Sequence, residues 1–359
     1  MHIHWVPGSP APKFGELRNL GSITILRTMK NGEIHDVVIV GGGPAGLSAA
    51  LLLGRCMRKV VLIDAGRSGL EVGMIYPPGG ESDGCSSGEF LRAGREQLAQ
   101  FVTVTYRQAD VDDIERNGIH FTAHCSDGEV FNSRALLLAS DFVARTPPIP
   151  GADRFYGNSL HQCPYCDGWE HRGRDIGVLG ADAAALELAL KLLQWSSRIV
   201  LYTNGGQLEP AYEKRLERAK VKIVPGKVIS LEGEGRNLEQ LVLEDGTHSP
   251  CEALFYCSAR RYHTSLAARL GCDLERIHGA LHWRSDGDTG IEGLFAAGSV
   301  TRTDEMTVIA SGEGLKAAGA VNDWLLEADQ SYLAARNPPP PPRTSRPITS
   351  PRRHVYLSP

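Results

Sequence analysis

The stretch "HDVVIVGGGPAGLSAALLLGRCMRKVVLIDAG", residues 35–66, decides the fold. Val37–Val40 is a short β-branched run that predicts a strand. Gly41, Gly43 and Gly46 follow as G-x-G-x-x-G, with Pro44 and Ala45 inside the motif. An apolar helix over 47–54 comes next, then a second strand over Val60–Ile63 that ends at Asp64 and Ala65. In this context the glycines allow a tight turn and a close approach of backbone to a pyrophosphate. The helix N-terminus offers free N–H groups and the positive end of its dipole. Asp64 falls about 20 positions on, where an acidic side chain binds a ribose hydroxyl. A bare glycine motif, or a plain βαβ unit, is the bland alternative; the strand, helix and acid together favour dinucleotide binding. The candidate binding residues are Gly41, Gly43, Pro44, Ala45, Gly46, Asp64 and Ala65.

A second unit of the same kind spans "DIGVLGADAAALELALKLLQWSSRIVLYTNGG", residues 175–206. It reads as a strand over 175–179, a helix across 182–194 and a strand over 198–202. Between the two units, 102–141 reads as short strands with a turn at Ser126-Asp127-Gly128, ending in the apolar strand 135–140. "TPPIPG" (146–151) is a proline-rich connector and a natural domain boundary. "IEGLFAAGSV" (291–300) is a further strand and turn, and 307–328 is a helix interrupted by glycines. The fold class is therefore α/β, with two nucleotide-binding, three-layer Rossmann-like domains.

Bulk composition agrees. The 359 residues favour two domains, and 42% hydrophobic with 22% charged residues is ordinary for a globular chain. A net charge of −4 gives no basic field for nucleic acid or an anionic membrane. No apolar run approaches the roughly 20 residues that span a bilayer. Cys56, Cys85, Cys125, Cys251, Cys257 and Cys272 are scattered, and a free buried thiol is the default reading of each. Scattered thiols in a long chain suggest the cytoplasm. Residues 1–33 lack the pattern of a signal peptide. Met29 reads as a natural start with upstream sequence before it; a true N-terminal arm, expected to be disordered, is the alternative. The tail from 334 on, with "NPPPPP" and Arg343, Arg346, Arg352 and Arg353, reads as polyproline II or disorder.

The chemistry sits in "HQCPYCDGWE", residues 161–170. CPYC is a glutaredoxin-like spelling, but there the second cysteine enters a sustained helix, and Gly168 and Gly173 interrupt this one. His161, Cys163, Cys166 and His171 could be read as zinc ligands, yet their spacing fits no defensible zinc motif; no metal is expected. The redox reading uses the spacing directly. At a turn entering a helix, both sulfurs reach one disulfide, and Pro164 suits an early helical position. The helix dipole lowers a thiol pKa. Asp167 is placed to move a proton as the pair changes state, against a bland reading as a helix-start carboxylate. His161 could be the base instead; a surface histidine is its bland reading. Trp169 lines a pocket or packs in the core. A dithiol cannot pass a hydride to NADP, whereas a flavin accepts its electrons and hands them on. The pair beside a dinucleotide fingerprint thus points to FAD.

These parts occur in an order that resembles the low-molecular-weight thioredoxin reductase superfamily over residues 35 to 333. The resemblance rests on "VIVGGGPAGLSAA", "PPIPG", "CPYCDG", "IGVLG" and "GLFAAG". "HQCPYCDGWEHRGRDIGVLG" with "LLQWSSRIVLYTNG" resembles one branch more closely: the FAD-dependent dithiol oxidases that close disulfides in natural products such as gliotoxin, holomycin and romidepsin. The resemblance implies an FAD domain in two stretches, 34–148 and 262–333, with an NAD(P)-type domain, 149–261, between them. It implies that Cys166 faces the flavin, that Cys163 exchanges with substrate, that Asp167 is the acid/base, and that the protein is a homodimer. It also places Gly298 and Ser299 at the flavin's ribityl-phosphate arm, where the family has Gly-Asp. Other departures are Ala139-Ser140-Asp141 for the family's Ala-Thr-Gly, and Leu179-Gly180-Ala181-Asp182-Ala183-Ala184 for its second glycine loop. Thr203-Asn204-Gly205 replaces the His-Arg-Arg that grips the NADPH 2′-phosphate. Losing those arginines forfeits a charge-assisted, bidentate grip, so NADP is a possible rather than a required partner. The expected activity is oxidation of a small-molecule dithiol, with electrons passing through FAD to O₂ or NADP⁺. The alternatives are an NAD(P)H-dependent disulfide reductase and a flavin-binding redox sensor.

Overall fold

The computed structural model describes residues 33–66, 74–75, 85–140, 142–143, 146–257, 261–262, 264–273, 286–301 and 306–336. The segment 1–32, Asp141 and the proline-rich tail from 337 lie outside the described residues.

Along the chain, β1 (Ile34–Val40), α1 (Pro44–Arg55) and β2 (Val60–Asp64) come first. A small antiparallel pair follows, β3 (Met74–Ile75) with β4 (Cys85–Ser86), and then α2 (Ser87–Leu98). The next strands are β5 (Val104–Gln108), β6 (Val111–Asn117), β7 (His120–Cys125), β8 (Val130–Leu138) and β9 (Phe142–Val143). The first sheet is ordered β5-β2-β1-β8-β7-β6. Its β5, β2, β1 and β8 run parallel, and β7 and β6 are antiparallel. Every residue of β2 is buried, as expected of a strand covered on both faces. β7 alternates half-buried and buried residues, the pattern of a strand with one open face.

The helix α1 explains the glycine spacing. Pro44 takes the first helical position after the Gly43 cap, where its missing N–H costs nothing. Ala45, Ala49, Ala50 and Leu53 are buried, because α1 lies between the sheet and a long C-terminal helix. Each fully buried aliphatic side chain there contributes about 1.5–3 kcal/mol.

The second region opens with α3 (Ala152–Phe155), β10 (Leu160–His161) and α4 (Pro164–Asp167). It continues through β11 (Ile176–Leu179), α5 (Ala183–Leu192), β12 (Ile199–Tyr202), α6 (Pro210–Arg218) and β13 (Lys222–Val224). An antiparallel meander, β14 (Val228–Glu234), β15 (Asn237–Leu243) and β16 (His248–Pro250), precedes β17 (Ala253–Tyr256). The parallel sheet here is ordered β10-β17-β11-β12-β13. Both β11 and β17 are wholly buried.

After β18 (Arg261–Tyr262) and α7 (Ser265–Arg269), the chain returns to the first sheet. There β19 (Leu294–Ala296) pairs in parallel with β8. A 3₁₀ turn over Gly298–Val300 leads to α8 (Thr307–Arg336). The sequence suggested a helix to 328; it runs eight residues further, to Arg336. Gly314 is where α8 meets α1, because a Cβ there would strike the Ala45 carbonyl. Among the described residues, no helix is long and apolar enough to cross a membrane.

Candidate active site

Cys163 and Cys166 are joined as a disulfide, with Cα atoms 5.3 Å apart. β10 delivers the pair: the chain leaves the sheet edge at His161, and Cys163 caps the single turn α4. The Cys166 N–H donates to Cys163 Sγ at 3.2 Å. One turn has little macrodipole, so this local N–H does what the sequence assigned to a helix dipole: it favours negative charge on Cys163 sulfur. Gly168 is required by close approach, since a Cβ would meet the Trp195 ring at 2.8 Å. The backbone of α4 runs beside β3, a strand of the first region.

The proton-carrying groups form a chain behind the pair. Asp167 Oδ1 lies 3.3 Å from His161 Nδ1, and the side chains are 14% and 5% exposed. His161 Nε2 lies 2.8 Å from His171 Nε2. The surface reading of His161 is thus corrected: β10 carries it inward, where it also packs against Phe255. His171 was weighed only as a zinc ligand, and the structure makes it the third member of this row. Burial first, then His161 and Arg174, lowers the His171 pKa to about 4; Asp167 and the Asn158 backbone act the other way. His171 is therefore a neutral imidazole near pH 7. The signal in the sequence was two histidines bracketing the cysteines, which spacing alone could not resolve.

Trp169 is not a core residue. It is 62% exposed, with the Arg172 guanidinium over its ring at 4.2 Å. Tyr165, between the cysteines, is also exposed and stands edge-on to Trp195. Of the other cysteines, Cys125, Cys251 and Cys272 are buried thiols, whereas Cys56 and Cys257 are exposed and depart from the default reading. Burial pushes the Cys251 thiol up to about 12, so it is inert.

The fingerprint residues gather at the carboxyl ends of β1, β2, β8 and β19. The Gly41 N–H donates to the Ile63 carbonyl at 2.8 Å, and Gly41 holds φ +112° against Ala139. A Cβ on Gly43 would meet nothing within 4 Å, and no side chain caps α1. The helix thus presents an open, uncapped N-terminus, the cradle a pyrophosphate fills. Asp64 is buried; Tyr106 Oη donates to it at 2.8 Å, the Gly66 N–H at 3.0 Å, and Arg95 approaches to 3.7 Å. A carboxylate has about four acceptor positions, so room for a ribose hydroxyl remains. Ala65 follows at the half-exposed strand end. Gly298 comes from 250 residues away, and a Cβ on it would meet Ala45 at 2.7 Å. Its N–H donates to Glu313 Oε2 at 3.1 Å, and half-exposed Ser299 follows it. Gly41, Gly43, Pro44, Ala45, Gly46, Asp64 and Gly298 thus surround one place, and the fit to FAD is good.

The residues replacing the family's nucleotide loops line a second space. A cavity of about 640 Å³ is bounded by Leu179–Asp182, Thr203, Asn204, Gln207, Tyr256 and Cys257. Tyr256 Oη accepts from Gln162 Nε2 at 2.7 Å, tying its wall to the residue before Cys163.

A redox disulfide on one nucleotide-type sheet and a pyrophosphate cradle on another define a dinucleotide-linked disulfide oxidoreductase. The family model described as pyridine nucleotide-disulphide oxidoreductase matches residues 35–314, and the chain belongs to that family of FAD-dependent oxidoreductases. It is 28% identical over 309 residues to a bifunctional thioredoxin reductase/thioredoxin of Mycobacterium leprae, covering 82% of this chain and 66% of that protein. It thus spans less than two thirds of that relative. To a thioredoxin reductase of Mycolicibacterium smegmatis it is 27% identical, covering 82% of this chain and 98% of the relative. The solved structure of HlmI superposes with a TM-score of 0.79 at 30% identity, covering 86% of this chain and 98% of HlmI.

Proposed function

We propose that this protein is a dithiol oxidase that closes an intramolecular disulfide in a small-molecule natural product. Within the branch its motif resembles, a romidepsin-type enzyme is the reading we favour. The observation that carries the reading is the cavity at the carboxyl ends of the second parallel sheet, where among the described residues no cation for an NADPH 2′-phosphate lines the wall. A reductase drawing electrons from NADPH needs that grip; an oxidase drawing them from its substrate does not.

The steps use the chain's own groups. A substrate thiolate attacks Cys163 Sγ, the Cys163–Cys166 bond breaks, and Cys166 leaves as thiolate. The substrate's second thiol then attacks its own sulfur bound to Cys163. The new S–S bond forms within the substrate and Cys163 leaves with the electron pair. Substrate has lost two electrons and two protons, and the cysteine pair has gained the electrons. Asp167 takes the thiol proton, and His161, whose Nδ1 lies 3.3 Å from the Asp167 carboxylate, holds that carboxylate toward the pair. The Cys166 N–H stabilises charge on Cys163. Gly41, Gly43, Pro44, Ala45, Gly46, Asp64, Ala65, Gly298 and Ser299 would hold FAD, which would supply the two-electron sink for the reduced Cys163–Cys166 pair, with O₂ or NADP⁺ as final acceptor. We assign the enzyme to the cytoplasm as a homodimer.

The test is oxygen uptake with dithiothreitol as substrate and no added nucleotide. The expected result is multiple turnover that Cys163→Ser abolishes; turnover surviving in that variant overturns the mechanism. A second reading, an NAD(P)H-dependent disulfide reductase, is favoured by the reductase names of the relatives. Rapid bleaching of the flavin by NADPH would select it.

A further inference from the structure

His171 is a buried titratable group that the steps above leave idle. It ends a row of side chains behind the disulfide. Asp167 Oδ1 lies 3.3 Å from His161 Nδ1, and His161 Nε2 lies 2.8 Å from His171 Nε2. The far nitrogen, His171 Nδ1, is buried and makes no well-formed hydrogen bond among the described residues. Beside it is the backbone of Asn158. Burial, the largest influence, lowers the His171 pKa, and the Asn158 backbone opposes it, as a carbonyl beside the charged ring does. The charged groups facing this ring are Asp167 of α4 and Arg174 just ahead of β11. Phe255 of β17 packs against both imidazoles.

The protons do not suffice for the contacts. There are three: Asp167 with His161, His161 with His171, and His171 with the Asn158 carbonyl. Each is complete when it holds one proton. An ionised Asp167 and two neutral rings bring only two. Whichever tautomers the rings adopt, one contact stays empty. The tautomer of each ring is set by the bond its other nitrogen makes. When the Asn158 carbonyl takes the His171 proton, His161 turns its own proton toward His171. Its bare Nδ1 then faces the Asp167 carboxylate, two acceptors across 3.3 Å. A proton between them satisfies both.

We propose that Asp167, His161 and His171 form a one-proton store for the redox pair, in which His171 is a positioning residue that keeps the Asp167–His161 contact empty until a thiol delivers its proton. The S–H bond of the thiol breaks, its electron pair stays on sulfur as thiolate, and the proton fills the contact. No electrons pass along the row. The proton leaves to water by Asp167, the more exposed end. The inference rests on the proposed function only in taking that thiol to be the substrate's.

The test is stopped-flow bleaching of the flavin by dithiothreitol, from about pH 6 to about pH 9. The oxidised holoprotein is compared with His171→Phe, which keeps a ring against Phe255 but frees His161 to point its proton at Asp167. The variant is expected to be about 10-fold slower at pH 7. The gap should close as pH rises to the thiol's own pKa, about 8.5, where thiolate forms without help. An unchanged rate, or a fall by the same factor at every pH, overturns the inference. His171→Gln should give the same profile, so one misfolded variant leaves the other to decide. A second measurement needs no dithiol. The holoprotein is reduced with a phosphine, and alkylation of the cysteine pair by iodoacetamide is followed against pH. Its midpoint should rise by about one unit in His171→Phe; an unmoved midpoint overturns the inference. A wild-type flavin that dithiothreitol does not bleach, with a midpoint that moves, defeats the dithiol reading alone. Bleaching with an unmoved midpoint defeats this inference alone.

Discussion

His161 Nε2 lies 2.8 Å from His171 Nε2, both rings buried behind the Cys163–Cys166 disulfide. Two imidazole nitrogens at that distance share one proton. If the His161 proton sits on Nδ1, which faces Asp167 Oδ1 at 3.3 Å, then His161 Nε2 accepts and His171 Nε2–H donates. Adding a proton to His161 forces His171 to its other tautomer.

The depressed His171 pKa makes stability depend on pH. In the unfolded chain the ring titrates near 6.5, and in the fold near 4, because burial and His161 oppose its charge. Between these values the unfolded state binds more protons. The stabilisation is present above pH 6.5 and is lost as pH falls toward 4. The loss is expected to be roughly 1–3 kcal/mol. Urea midpoints from pH 7 to 4.5 should fall in the wild type and fall less in His171→Gln.

Asp167→Asn keeps the shape but cannot accept a proton. Turnover of dithiothreitol should drop about 10²–10⁴-fold. The rate of flavin reduction, followed by stopped flow, should then rise with pH as substrate thiolate forms without help. An unchanged rate and pH profile would remove Asp167 from the mechanism.

Gly41→Val addresses the cradle. The residue sits at φ +112° against the Ala139 carbonyl, where a side chain is both strained and blocked. The purified variant should carry little flavin, read as the ratio of visible to ultraviolet absorbance. Gly118→Ala, at a turn with open space around it, is the control for the φ penalty alone.

α8 is anchored far from the chemistry. Arg58 Nη1 donates to Asp329 Oδ2 at 3.1 Å, and Arg134 Nη2 to Oδ1 at 2.7 Å. Burial acts to raise the Asp329 pKa, but hydrogen bonds and charge from the two arginines outweigh it and hold it low. Its contribution is present above the ordinary carboxylate pKa and is lost as pH falls through the lowered value. Because the carboxylate is 41% exposed, Asp329→Ala should cost only about 1 kcal/mol, measured by thermal unfolding. Turnover at 25 °C should be unchanged.

The two βαβ units were legible because strand, glycine turn and helix are local signals. The elements between Gly41 and Asp64 and between Ile176 and Tyr202 were placed within three residues of their observed ends. The disulfide was legible for the same reason, since three-residue spacing is short-range chemistry. What surrounds it was not. His161 reads as a polar residue beside a loop, and only the pairing of β10 with β17 turns it inward. Trp169 reads as core because of its size, but the turn at Gly168 leaves it outside. Gly298 meets Ala45 through the return of β19 to β8, a pairing across more than 150 residues that no local pattern encodes.

The central claim is that electrons enter from a dithiol. The direct measurement is anaerobic mixing of the oxidised holoprotein with excess dithiothreitol while the flavin band is recorded, followed by separate additions of O₂ and NADP⁺. The account predicts loss of the oxidised band within the turnover time, its absence in Cys163→Ser and Cys166→Ser, and recovery on adding an acceptor. A flavin that stays oxidised with the dithiol but bleaches with NADPH would contradict it.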